Sequence, residues 1–304
     1  MVRFGVAGYP PAFGKTPYRR DRLKILNWLS TLGLNALELQ MTYGPRTKAD
    51  VCREYRRIAE DLGISISVHA SYFIVFTSSD PAKLERSRDT LKRTYDLCGV
   101  LGADVVVLHP GPLYGEESSL VLRRFIDNLA SCFDDIGPTE TGLFVETAGK
   151  VGQLGSVDEI LQVCSAVQGV FPCIDFGHVH ARTLGTLESS IAVNDLFAKI
   201  ESYRKPRPSG RIHFHYTPIH YGPKGEISHK AISDRYPSMA QMALPSLDNN
   251  NPLRSGDGFF HPRVEPIAKG LKTLAADCTV ISETHDSQEE GALALKEAFL
   301  DSQQ

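Results

Sequence analysis

With 304 residues, 42% of them hydrophobic and 23% charged, the chain is long enough for one large α/β barrel or two small domains. A formal net charge of -3 argues against a protein that coats nucleic acid nonspecifically, while leaving room for a local basic groove. The six cysteines form no C-x-x-C pair, no apolar run reaches membrane-spanning length, and the chain starts directly in a strand-like stretch, so buried free thiols and a soluble, cytoplasmic protein are expected.

In chain order, residues 2–8 read as a strand, and 19–32 as a helix with Leu23, Ile25, Leu26, Leu29 and Leu32 at near-helical spacing, stopped by Gly33. Residues 36–40 form the second strand, 49–62 an amphipathic helix closed by Gly63, and 65–69 the third strand. Asp80 and Pro81 open a helix over 80–101, strand four covers 104–108, and a helix spans 118–136. Strand five at 143–146, a helix at 157–168, strand six at 171–175 and a helix at 190–202 continue the alternation. Strand seven covers 211–216, strand eight 279–283, and a helix at 288–300 closes the chain. Between them, 236–261 is rich in proline, asparagine and glycine and reads as a long loop before the helix of strand seven, with room for a short helix near Met239.

Eight strands alternating with helices predict a parallel sheet, and the count suits a single (β/α)8 TIM barrel domain over 1–304 with 236–261 as an insertion. An open doubly wound sheet competes, but no G-x-G-x-x-G follows the first strand. In a barrel, the carboxyl ends of all strands meet at one mouth. His69, His109, Glu146, Asp175, His178, His215, His229 and Glu283 all fall at or beyond such ends. One carboxylate there could be a helix cap, but so many imidazoles and carboxylates at one mouth would repel or stay unsatisfied without cations. Oxygen and nitrogen donors without cysteine suit zinc, manganese or iron. More ligands than one ion can use imply a cluster, which favours phosphodiester chemistry.

Four motifs carry a resemblance. Val68-His69-Ala70-Ser71-Tyr72, His109-Pro110-Gly111, Glu146-Thr147-Ala148-Gly149 and Cys173-Ile174-Asp175-x-x-His178, with Glu283-Thr284 at the end, resemble the endonuclease IV family of apurinic/apyrimidinic endonucleases, within the xylose-isomerase-like barrels. The similarity covers most of 1–229 and again 264–287. It implies two or three zinc ions, with His69, His109 and a bridging Glu146 around one, Glu146, Asp175, His215 and Glu283 around the second, and His178 with His229 around the third. It also implies Glu146 and Glu283 as catalytic carboxylates and a metal-bridging hydroxide that attacks the phosphate 5′ to an abasic site in double-stranded DNA, leaving a 3′-hydroxyl and a 5′-deoxyribose phosphate.

The pattern departs where the family carries Asp-x-His and this chain has Ile227-Ser228-His229; Glu226 is one residue further back and could stand in. His213 shares a strand face with His215, which is nearer the carboxyl end and therefore favoured. His180 and His220 read as spares outside the ligand set. For DNA, the resemblance places at Tyr72 and Phe73 groups that wedge beside a flipped-out sugar, with core packing under the loop as the alternative; Arg46 and Lys48 could meet phosphates or fill the gap left by the flipped nucleotide, and Lys150 is placed to face the site. A monomer is expected. The competing reading is a sugar isomerase or epimerase of the same barrel group, which would use one ion on Glu146, Asp175, His215 and Glu283, with His178 touching a small sugar. His69, His109, His229 and the Ser71-Tyr72 pair separate the two readings, and a catalytically silent scaffold is a third.

Overall fold

A computed structural model describes residues 1–137, 139–207, 211–236 and 257–301. Strand one (Val2–Ala7) lies between strand eight (Cys278–Ser282) and strand two (Ala36–Gln40). The ring continues through strand three (Ser65–His69), strand four (Val105–Leu108), strand five (Gly142–Glu146), strand six (Val170–Asp175) and strand seven (Ile212–Tyr216) back to strand eight, closing an all-parallel barrel. Strands buried on both faces should be almost continuously apolar, and Val105-Val106-Val107-Leu108 is buried throughout.

The surrounding helices use local signals in the sequence. Asp80 accepts from the Ala82 N–H ahead of Pro81–Leu101, with proline in the first turn, and Ser156 with Glu159 forms a reciprocal capping box on Val157–Ala166. Ala49–Leu62 ends on Gly63 in the left-handed region, φ 66°, which a side chain would strain. The main apolar core lies between strands and helices. A smaller cluster of Val105, Val107, Phe144 and Cys173 forms a separate apolar layer, with the Phe144 ring edge-on to His213. All six cysteines are buried and unpaired. Among the described residues no helix is long and apolar enough to cross a membrane.

Several elements differ from the sequence reading. The helix expected from residue 19 starts at Lys24, because the stretch before it is exposed and charged and Asp21 turns the chain by accepting from the Leu23 N–H. The helix expected to reach 168 stops at Ala166, since Val167 is extended. A helix not expected, Phe176–Arg182, follows strand six directly. After strand seven an unexpected antiparallel hairpin, Ile219–Gly222 with Gly225–His229, has its register shifted between His220 and Tyr221. The chain then reaches a helix at Val264–Thr273. Within 236–261, the two ends run side by side: Arg235 bridges Phe259, the Tyr236 N–H donates to Gly258 O, and Ile219 bridges His261. The interior, 237–256, with the short helix expected near Met239, lies outside the described residues.

Candidate metal centre

The barrel's parallel strands all end at one mouth, and their ends carry the ionisable side chains. His69, Glu146 and Asp175 are the last residues of strands three, five and six; His215 is in strand seven; His109 and Glu283 lie just past strands four and eight. His178 stands one helical turn beyond Asp175, and Glu226 and His229 come from the hairpin. The hairpin is pinned to the turn after strand five by the Glu226 N–H on Gly149 O and the Val151 N–H on Lys224 O, both 3.1 Å. Gly149 permits this approach, since a Cβ there would lie 2.8 Å from the Glu226 Cβ.

These residues fall into groups whose ligand atoms lie within 4.8 Å of one another: His69, His109 and Glu146; Glu146, Asp175, His215 and Glu283; His178, Glu226 and His229. Glu146 belongs to the first two. His215, and not His213, stands among the carboxylates at the mouth, with Nδ1 3.2 Å from Glu146 Oε1 and 3.7 Å from Glu283 Oε1. Glu226, the residue expected to stand in for the family's aspartate, lies 3.6 Å from Nε2 of both His178 and His229.

Proton bookkeeping tests whether cations fit. Backbone carbonyls only accept, so the ring protons sit on Nδ1 of His69 (3.0 Å to Ala70 O), His178 (2.9 Å to Thr147 O) and His229 (3.0 Å to Glu283 O). In each neutral ring the other nitrogen then presents a lone pair, and it faces a carboxylate: Glu146 for His69, Glu226 for His178 and His229. Two acceptors cannot bond each other, but both can ligate one ion. The spacings agree, because donors 2.0–2.2 Å from a tetrahedral zinc stand roughly 3.3–3.6 Å apart. Here His109 Nε2 is 3.4 Å and His69 Nε2 3.2 Å from Glu146 Oε2. Asp175 serves twice: Oδ1 accepts from the His178 N–H at 2.6 Å and caps the helix, while Oδ2 is buried with no hydrogen-bond partner among the described residues. The cap therefore occupies one oxygen of this carboxylate and leaves the other available to an ion.

The electrostatics point the same way. Burial raises the pKa of Glu146, but His109, His215 and His178 outweigh it and hold this carboxyl well below its ordinary range. Burial lowers the pKa of His69, yet Glu146, Glu38 and Glu283 pull it up to about 9. Burial, together with His69, His178 and His215, pushes His109 down to about 3 despite Glu146. Without ions, the carboxylates thus favour a protonated His69 that donates to Glu146, while the neighbouring His109 is held neutral with a nitrogen lone pair available.

Tyr72 stacks on His109 at 5.3 Å and shares a cleft of about 360 Å³ with Lys150, Gln153, His178 and Glu283. Phe73 is 69% exposed and pairs with the exposed Tyr43 at 6.3 Å, and Arg46 lies over Tyr43, outside that cleft. The turn carrying Lys150 is held by Arg182, which donates to the carbonyls of Lys150 and Gln153. His180, expected as a spare, is buried edge-on to Tyr221, and His220 packs against Phe260. Sequence reasoning missed Glu38. This fully buried carboxylate of strand two forms a further group with His213 and His215. Its signal was an acid between Leu37 and Leu39, which ordinary surface alternation imitates.

A family model described as xylose isomerase-like TIM barrel matches residues 26–302. An uncharacterized protein of Methanocaldococcus jannaschii is 26% identical over 298 residues, 97% of this chain and 96% of that one. A probable endonuclease 4 of Nitratidesulfovibrio vulgaris is 31% identical over 148 residues, 47% of this chain, so the match spans about half (52%) of that relative. Among solved structures, endonuclease IV from Thermus thermophilus superposes with a TM-score of 0.64 at 15% identity, covering 99% of each chain. A D-psicose 3-epimerase solved with D-fructose gives 0.59 at 13% identity, covering 99% of this chain and 98% of that one. At such identities these structural likenesses show the fold alone.

Proposed function

The chain belongs to the xylose isomerase-like TIM barrel family, and we propose that within it this protein is a metal-dependent phosphodiesterase of the endonuclease IV kind, cutting double-stranded DNA on the 5′ side of abasic sites. The observation that carries this reading is the surplus of ligands. Glu146, Asp175, His215 and Glu283 already suffice for one ion, yet His69, His109 and the set of His178, Glu226 and His229 converge beside them. An isomerase with one ion has no use for that surplus. The partial match to probable endonuclease 4 supports the same class.

In this reading His69, His109 and Glu146 hold one ion, Glu146, Asp175, His215 and Glu283 a second, and His178, Glu226 and His229 a third. Zinc suits the donors best, and manganese and iron suit oxygen and nitrogen sets as well. Divalent ions held there supply Lewis acidity at a phosphate and make water nucleophilic near neutral pH. Glu146, shared by two groups, fixes their separation. Tyr72, braced on His109, offers a stacking face to a sugar turned out of the duplex, and Lys150 brings positive charge to the same cleft. Phe73 and Arg46 extend that contact along the strand beyond the cleft.

One observation favours a second reading. The one-ion set is complete, and its Glu283 lines, with His178, a cleft of about 360 Å³, a volume suited to a small sugar. Metal content of protein purified without added metal or chelator, paired with nicking of a duplex carrying one abasic site, decides between them. Two or three equivalents with cleavage 5′ to the lesion is the expected result. One equivalent, with no nicking even after metal is restored, would overturn the nuclease in favour of the epimerase.

A further inference from the structure

Strand two contributes no ligand to the groups at the mouth, yet its inward side chains lie against them. Glu38 is fully buried. Its Oε2 accepts from Ser67 Oγ at 2.9 Å, His213 Nε2 at 3.0 Å and His215 Nε2 at 3.3 Å, and its Oε1 lies 3.1 Å from the same His215 nitrogen. Two residues along, the Gln40 amide spans Glu38 Oε1 at 3.4 Å and Glu283 Oε1 at 3.5 Å. Carboxylates flank both ring nitrogens of His215, Glu38 at Nε2 and Glu146 with Glu283 at Nδ1, so when an ion takes the Nδ1 lone pair the ring proton lies on Nε2, where Glu38 accepts it.

We propose that Glu38 and Gln40 are positioning residues for the ion of the Glu146, Asp175, His215 and Glu283 group: Glu38 fixes the tautomer and plane of His215, and Gln40 ties that carboxylate to Glu283. Carboxylate partners of this kind orient ligating histidines and are worth about 10- to 100-fold in metal affinity. The inference rests on the metal centre proposed above, but not on the reaction carried out there. Ser67 and His213 complete the arrangement by holding Oε2 of Glu38, the oxygen that also accepts from His215, in place.

The test is a titration of metal-free protein with cobalt, followed by its visible absorption, and with zinc against a competing chelator. Glu38→Gln leaves one acceptor oxygen where four donors converge, which weakens the hold on His215. The expected result is unchanged stoichiometry at saturation, affinity for one ion weakened about 10- to 100-fold, and an altered cobalt spectrum, with Glu38→Asp recovering part of the loss. Gln40→Leu, at an exposed position, should weaken the same ion by a smaller factor and keeps the test decisive where Glu38→Gln does not fold. Parental affinity in both variants would overturn the proposal. So would the loss of a whole equivalent at saturation in Glu38→Gln, which would make Glu38 a ligand. A parent chain that takes up its ions but leaves abasic DNA intact would overturn the nuclease and leave this inference standing.

Discussion

The candidate ligands delivered by barrel strands and those delivered by the hairpin differ in how they are held. Glu146 and His215 are 0% exposed, fixed by the closed sheet and touched by several partners each, whereas Glu226 and His229 are 20% and 26% exposed at the side chain. The hairpin reaches the mouth through a register shift and a close approach at Gly149. Barrel closure and strand register fix where the first kind of candidate ligand stands. The second kind depends on one loop, which is where this chain departs from the Asp-x-His pattern and brings Glu226 instead.

The comparison can be broken or sharpened by experiment. Glu146→Ala removes the carboxylate shared by two groups, and activity should fall by at least about 100-fold under either enzymatic reading, more than loss of any outer partner costs; a variant that retained parental turnover would remove Glu146 from the centre. His109→Ala is the next largest and the more selective, since nicking of abasic DNA should drop steeply, while an isomerase activity left intact would exclude the nuclease. Glu226→Ala touches only the hairpin group. Metal analysis should show one equivalent fewer with the other ions retained, and nicking reduced by about tenfold, less than for a strand-borne ligand; unchanged metal content would mean that His178 and His229 bind nothing through Glu226.

The smallest effect concerns acidity. His69 has a raised pKa in the folded, metal-free chain, so its contribution is fully present below its ordinary value of 6.5 and is lost as pH rises through about 9. Thermal unfolding of chelator-treated protein should therefore shift to lower temperature between those values. Protein reloaded with metal should not shift there, because ions take the place of the protons. Parallel behaviour of the two forms would show that the imidazoles are not exchanging protons for ions.

Much of this was readable from the chain alone because strand ends announce themselves. Val-rich runs followed by His109-Pro110-Gly111 or by Asp175 mark both an element and the place where its polar terminus emerges. Glu38 was not readable, since Ala36-Leu37-Glu38-Leu39-Gln40 looks like a strand with one wet face, and only closure of the barrel turns that face inward. The hairpin was hidden for a different reason. Its strands are short, follow Pro218 and pair out of simple register, so period-two alternation is too brief to register as a signal. The helix after Asp175 was obscured because the same residue is both its cap and a ligand candidate.

The crossing at the back of the mouth bears on how such a barrel diversifies over generations. The segment leaving at Arg235 and Tyr236 returns at Gly258 and Phe259 alongside itself, and His261 then continues the hairpin by pairing with Ile219. With its two ends stapled together, the length of chain between them is a free variable for the lineage. For a flexible connection, each doubling of length adds only about 0.6 kcal/mol of closure cost. Descendants can thus acquire or shed sequence between the joined ends while keeping the hairpin that carries Glu226 and His229.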